Sequence, residues 1–293
     1  MRLYVGFTPG GTTDILARML APALGDAFGH PFYIENRPGA TGNIASELTA
    51  KSAPDGHTLV MVAAGFASNV SMYANPGYDP QRDFAPIGRI AAVHNVLIVH
   101  PSIPAQNPRE LLDLARRHPG SLNFGSPGHG STAHLAIEML RVQAGGINVR
   151  HVPYRGMAPA VLEVVGGHLH ALMATVPPAI VHIQSGRVRA LAVASLRRAQ
   201  ALPQVATFHE SGFPGFEAVS WNALLAPSGT SYDIIVRLNL AVGDVVKSRE
   251  FRERLARLGA ETINDTPEEF TAYLRGEIDK WASLVKRSGV AMD

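Results

Sequence analysis

The sequence contains no cysteine, which excludes disulfides, thiolate metal sites and cysteine nucleophiles and leaves the redox compartment open. No window approaches the roughly 20 consecutive apolar residues of a membrane-spanning helix. The first residues also lack the charged-then-apolar pattern of a signal peptide. Met1 runs directly into a strand, so for an exported protein this start would be that of a processed or truncated chain whose leader is not shown. Charge of one sign is missing too: 26 Lys and Arg stand against 24 Asp and Glu, a formal net charge of +2. No basic run is interleaved with aromatics, which excludes nucleic acid as the expected partner. The G-x-x-x-x-G-K-[ST] pattern is absent, so a P-loop is excluded as well.

The 293 residues, 46% hydrophobic but only 7% aromatic, with 28 Gly and 21 Pro, suit many short strand-to-helix turns better than a β-sandwich. An α/β chain of two lobes is expected. Arg2 to Phe7 reads as a strand, followed by a Pro-Gly-Gly-Thr-Thr turn and a helix with Ile15, Leu16, Met19, Leu20 and Leu24 on one stripe. Short strands at Phe32–Glu35 and Thr58–Ala64 continue a β-turn-α cadence, which implies a parallel sheet. Ile87 to Val99 reads as one long crossing strand, and the cadence then restarts at Leu122–Gly125, Val149–Pro153, Ala171–Ala174 and Val188–Ala194. Val219–Ala226 reads as the return crossing. Residues 1–100 with 221–293 are therefore expected to form one lobe and 101–220 the other, with the two crossings as hinge strands and closure upon ligand. Thr266-Pro267-Glu268-Glu269 marks the start of a last helix, combining an N-cap, Pro at the first position and a capping-box Glu.

Two segments nearly repeat each other. Phe7-Thr8-Pro9-Gly10-Gly11-Thr12-Thr13 and Gly125-Ser126-Pro127-Gly128-His129-Gly130-Ser131-Thr132 both read as strand, Pro-Gly turn, hydroxyl residues and helix, one in each lobe. A helix start presents N–H groups without intrahelical partners and about half a positive charge, and glycines let an anion approach them. Gly and Pro are also ordinary turn residues, but the duplication favours a carboxylate or phosphate grip. Gly128-x-Gly130-x-x-Ala133 keeps a dinucleotide-dependent enzyme open as the alternative, although the next strand ends at His151-Val152-Pro153-Tyr154 without the acid that would hold a ribose. A structural or oligomerisation module is the third reading. Ser126 and Ser131 lack a G-x-S-x-G elbow, and His129, His134 and the Asp residues build no triad by spacing alone. Ser131 is expected to cap its helix. His168 and His170 alternate as on a strand, with no carboxylate or third histidine nearby to complete a metal site. Asp14 belongs to the first helical turn, where its charge suits the dipole and shapes the loop.

Phe7-Thr8-Pro9-Gly10-Gly11-Thr12-Thr13-Asp14 with Ala17-Arg18, Glu35-Asn36-Arg37-Pro38-Gly39-Ala40 and Gly42, Pro54-Asp55-Gly56, the Gly125–Ser131 turn with His134-Leu135, His151-Val152-Pro153-Tyr154-Arg155-Gly156 and Gly186-Arg187-Val188 resemble the tripartite tricarboxylate transporter receptors, the Bug-type binding proteins, over nearly the whole chain. The resemblance implies a type II periplasmic-binding-protein fold, with two α/β lobes, a ligand cleft and two hinge-crossing strands. It also implies a monomeric periplasmic receptor that hands a small organic anion, a di- or tricarboxylate or an aromatic acid, to membrane components of a transporter, without cofactor, metal or catalytic residue. The ligand-binding positions carried over are Phe7, Gly11 and Asp14; Ala64, Gly65, Phe66 and Asn69; Ser126, Gly130, Ser131 and Thr132; and Thr175. Many relatives place acids in the strand after Gly166-Gly167, where this chain has His170 and then Ala174-Thr175, so a second ligand carboxylate is expected to be tolerated better than an ammonium. Phe66 stands where relatives often carry a small or polar residue, and is expected to floor the cleft with apolar surface.

Overall fold

The computed structural model describes residues 1–288, and it separates into two bodies. The first comprises Met1–Ala92, Trp221–Leu255 and the chain from Glu261 onward; the second comprises Val93–Ser220 and Ala256–Ala260. The chain thus leaves the first body at Ala92/Val93, not at residue 100. Ala256–Ala260 also belongs to the second body, because the backbone of Gly259 lies against Val176 and Ala201, where an added Cβ would meet Val176 Cγ1 at 2.3 Å.

The first body is built on a six-stranded sheet of β1 (Arg2–Val5), β2 (Tyr33–Asn36), β3 (Thr58–Ala63), β4 (Phe84–Val93), β10 (Ser220–Pro227) and β11 (Ala260–Thr262), in the order β11-β4-β10-β3-β1-β2. β1 pairs in parallel with both β2 and β3, and β10 runs antiparallel to β3. Its helices are α1 (Thr12–Phe28), α2 (Asn43–Ala50), α3 (Gly65–Met72), α8 (Tyr232–Lys247), α9 (Arg249–Arg257) and α10 (Pro267–Ser288), with a 3-10 turn at Ala40–Gly42. The second body carries a five-stranded sheet in the order β7-β6-β8-β5-β9, from β5 (Asn95–Val99), β6 (Asn123–Ser126), β7 (Arg150–Pro153), β8 (Ala171–Thr175) and β9 (Arg189–Val193). Helices α4 (Pro108–Arg117), α5 (Thr132–Gln143), α6 (Met157–Val165) and α7 (Val176–Gln184) complete it. β6 is parallel to both β7 and β8. All residues of β5, β8 and β10 are buried, as expected for strands covered on both faces.

Local chemistry explains most boundaries. Thr266 Oγ1 accepts from the Glu269 N–H and Glu269 Oε2 accepts from the Thr266 N–H, the reciprocal pair that starts α10. On that helix Phe270, Leu274, Ile278 and Trp281 are buried, at the three- and four-residue spacings of one helical face. The expected single strand from Ile87 to Val99 is interrupted at His94, whose carbonyl accepts from Val176 N–H, while Asn95 Nδ2 donates to the Ala218 carbonyl at 2.6 Å. β11 has three residues, too short to show a period. α7 starts at Val176, with Pro177 and Pro178 in first-turn positions that need no N–H donor.

Candidate functional site

In each body the parallel strands end on the same side of their sheet, and their carboxyl ends carry the turns singled out above. Ligands of open α/β sheets bind outside such ends. In the first body β1, β2 and β3 lead into the turns 6–11, 37–42 and 64–65. In the second, β6 and β8 lead into 127–131 and Thr175.

The first turn is held by Asp14. Its carboxylate, 2% exposed, accepts from the Gly10 N–H, Arg18 Nε and Asn36 Nδ2, each at 2.9 Å. Asn36 Nδ2 also donates to the Phe7 carbonyl at 3.0 Å, tying β1 to β2 where both end. Burial alone would raise the Asp14 pKa, but the hydrogen bonds from Arg18, Gly10 and Asn36 outweigh it and hold the carboxyl below its ordinary value. Asp14 is therefore a charged, fully partnered anchor of the loop and not an open acceptor for ligand. Beyond it, α1 starts at Thr12 after Gly11, an N-cap position that as glycine offers no side-chain capping bond. Asn222 Nδ2 donates to Thr13 Oγ1 at 2.9 Å and to the Val62 carbonyl at 3.2 Å, which fixes this helix start against β3.

The second turn enters through a close approach. A Cβ on Gly6 would lie 2.5 Å from Gly42 Cα, so backbone meets backbone there, and Ala40 and Thr41 take φ of +45° and +52°. Gly6, Phe7, Thr41, Gly42, Ser46 and Phe66 are among the residues lining a small cavity of about 10 Å³, room for one water-sized molecule. Phe66 does not floor an open surface. It is 2% exposed, stacks on Tyr78 with centroids 5.2 Å apart and meets Phe84 edge-on, because an aromatic at the start of α3 faces the sheet. Ala64 and Gly65 are buried beside it. Asn69 is fully buried; its Nδ2 donates to the Thr41 carbonyl and to Asn43 Oδ1, while Tyr78 OH donates to Asn43. Asn69 thus staples the 40–43 turn. Its own Oδ1 and Thr8 Oγ1 are buried without a hydrogen-bond partner. Thr8, Gly6 and Thr41 were not singled out from the sequence as ligand-binding, although they lie in or beside motifs quoted above; the motif carried the signal and its side-chain directions did not.

In the second body Ser131 caps α5: its Oγ accepts from the His134 N–H at 3.1 Å and donates to the Gly128 carbonyl at 2.7 Å. The hydroxyl is thus engaged at both ends. Gly130 N–H donates to His134 Nδ1 at 3.1 Å, so the turn and the third helical residue hold each other reciprocally, a histidine counterpart of the capping box. Ser126 Oγ lies 2.7 Å from His151 Nε2 and also bonds both polar backbone groups of Gly128. Thr132 follows as the first residue of α5, and Thr175 ends β8 as the N-cap of α7 without a side-chain capping bond. β7 ends at Val152-Pro153 with no acid following to hold a ribose hydroxyl, so the Gly128-x-Gly130-x-x-Ala133 segment does not complete a dinucleotide site. His168 lies 3.6 Å from Glu163; the sequence reading had no carboxylate near it. His170 Nδ1 accepts from the Asn123 N–H at 3.0 Å, at the amino end of β8. At about 3.3 Å per residue it is roughly 16 Å from Thr175, so its identity bears on the sheet and not on the turns.

A cluster that the sequence reading missed surrounds this turn. His129, His134 and His151 each place a ring nitrogen within 4.8 Å of the others. His134 and His151 stack, with centroids 4.0 Å apart and planes 18° from parallel, and His129 meets both edge-on. Such a stack presents ring faces, whereas a metal needs lone pairs converging in the ring planes. Nδ1 of His134 already accepts a backbone N–H, which puts the proton of the neutral ring on Nε2 and leaves that nitrogen no lone pair. The cluster fits neutral imidazoles better than a chelate. Burial first, and then the neighbouring charges, lower the pKa to about 4 for His134 and about 2 for His151; burial also lowers that of His129.

Residues 16–290 match the family model described as tripartite tricarboxylate transporter family receptor. The chain belongs to this receptor family. Over 294 residues it is 35% identical to protein BugT of Bordetella pertussis, covering all of this chain and 90% of that one. Among solved structures, an R. palustris protein with adipate is 35% identical at a TM-score of 0.96, covering 99% of this chain and 97% of that one. MatC of Rhodopseudomonas palustris with bound malate is 29% identical at 0.92, covering 97% and 98%. The periplasmic binding protein BugD is 33% identical at 0.96, covering 100% and 98%. The receptor family is thus one of periplasmic solute-binding proteins, and its two-lobed α/β fold is the fold of this chain. Among the described residues no helix is long and apolar enough to cross a membrane.

Proposed function

We propose that this receptor captures a small organic carboxylate in the periplasm and presents it to membrane components of a transporter, acting as a monomer and doing no chemistry on the ligand. The observation that carries this reading is the start of α1: a helix of 17 residues without a side-chain cap at Gly11, beside an acid whose charge is already answered by Arg18 and Asn36. An incoming carboxylate there meets helix N–H groups and no uncompensated negative charge. Phe7, Gly11, Gly65, Gly130, Thr132 and Thr175 are the proposed contacts at the turns, with Asp14, Asn69, Ser126 and Ser131 holding the turns in shape. Adipate and malate in two relatives support a dicarboxylate.

The Ser126–His151 pair does not favour hydrolysis. Ser126 has no exposed surface, and an imidazole pushed down to about 2 is too weak a base to take a hydroxyl proton near neutral pH.

Thermal unfolding with adipate, malate, benzoate and NAD tests the reading. A carboxylate that binds only the folded chain stabilises it by about 2.7 kcal/mol at a hundredfold excess over Kd. A rise with one of the acids and none with NAD is expected. No rise with any acid, or a rise with NAD alone, overturns it.

A further inference from the structure

We propose that His134 is a proton-operated latch on the turn between β6 and α5, which keeps its ligand-competent shape only while this imidazole is neutral. The inference rests on the reading that this turn takes part in carboxylate capture.

The geometry makes the latch. Gly128 and Gly130 take φ of +143° and +77°, conformations that glycine alone adopts readily, so the turn needs tertiary bonds to hold it. Gly130 N–H to His134 Nδ1 and His134 N–H to Ser131 Oγ are two of them. A proton on His134 must go to Nδ1, since Nε2 already carries one. The acceptor then becomes a donor facing the Gly130 N–H donor, and the turn loses that bond.

The surroundings set when this happens. From the turn, His129 meets His134 edge-on at 5.3 Å, and from β7 His151 stacks on it at 4.0 Å. From α5 itself come Glu138, with Oε1 4.0 Å from His134 Nε2, and Arg141. Both Glu138 oxygens are bonded by Arg141 Nη1, at 3.0 and 2.9 Å, so the one nearby carboxylate is already matched and stabilises an imidazolium weakly. His129 and Arg141 oppose it. Burial adds to them, and the lowered pKa of His134 agrees with this layout. A proton on His134 would hold the next one off His151, whose ring stacks on it at 4.0 Å. Acid would thereby loosen the turn through one identified residue.

The test compares the wild type with His134→Asn. The Asn Oδ1 falls near the Nδ1 position and accepts the Gly130 N–H but takes no proton at these pH values. Titration with adipate and malate from pH 7 to 3.5 gives an affinity ratio in which the ligand's own protonation cancels. The ratio is expected to stay constant from pH 7 to 5.5 and to fall about fourfold by pH 3.5, as one proton with a midpoint near about 4 requires. In the ligand-free wild type, the Gly130 amide resonance should move with the His134 ring resonances and with the same midpoint. A constant ratio to pH 3.5 overturns the latch. So does a Gly130 amide that keeps its native shift while His134 titrates, or until the whole chain unfolds. If neither acid binds either protein at pH 7, the carboxylate reading is in difficulty, while the Gly130 and His134 resonances still decide the latch. Should the Asn variant not fold, the wild-type titration decides alone.

Discussion

Asn36 and Asp14, 22 positions apart, are joined by a 2.9 Å hydrogen bond from Asn36 Nδ2 to Asp14 Oδ1. Through it the end of β2 holds the first turn of α1, and the same amide holds the Phe7 carbonyl. The loop at the proposed anion site is therefore shaped by an acid that is itself fully partnered.

Replacing Asp14 with Ala is expected to leave the Gly10 N–H and the Asn36 amide short of a partner, at about 1–3 kcal/mol, and to weaken adipate binding more than tenfold as the loop relaxes. Arg18, half exposed, contributes less through screening. Urea unfolding and calorimetric titration measure the two effects. The sign with pH follows from the lowered Asp14 pKa: its contribution is complete above the unfolded value near 3.8 and is lost as pH falls through the lower folded value. Wild type and Asp14→Asn should therefore converge in stability towards pH 2.

Ser131→Asp keeps an acceptor for the His134 N–H but removes the hydroxyl donor to Gly128. It would also set a carboxylate oxygen against the Gly128 carbonyl. Capping strength alone would leave folding intact; with the second bond known, a loss of about 1–2 kcal/mol is expected, together with at least tenfold weaker dicarboxylate binding from like-charge repulsion. Unchanged affinity in a folded variant would remove this turn from the site.

Gly6→Ala places a methyl against the Gly42 backbone, at 2.5 Å from its Cα. Neither neighbour is a flexible side chain, so the 40–42 turn must move, at about 1–3 kcal/mol. Denaturant unfolding should show that loss, and an adipate affinity equal to wild type would argue that the turn does not border the ligand.

Glu277 accepts from the indole N–H groups of Trp221 and Trp281, both at 3.0 Å on Oε2, and from Lys280 Nζ. Glu277→Leu leaves two buried N–H donors without a partner, and about 2–4 kcal/mol of destabilisation is expected from two such losses. The near-ultraviolet dichroism of both tryptophans should change, while ligand affinity, measured well below the melting temperature, should stay within about twofold, since Glu277 bonds Trp221, Trp281 and Lys280 and none of the proposed ligand contacts.

What the sequence determined by itself is local and periodic. The α/β cadence, the Thr266–Glu269 capping box, the stripe of α10, the Ser131 cap and the two Pro-Gly turns follow from spacing and from the φ preferences of Gly and Pro, which neighbouring residues suffice to express. Long motifs in the right order were enough to place the chain in its family. The tertiary structure alone decided where side chains point and which distant groups meet. Phe66 faces the sheet and not an open surface; Asp14 is closed off by Asn36; Asn69 reaches Thr41; and His151 arrives from β7 to stack on His134. None of these pairings has a sequence period, because each is fixed by strand order and by the burial of polar groups that must find partners wherever the fold brings them.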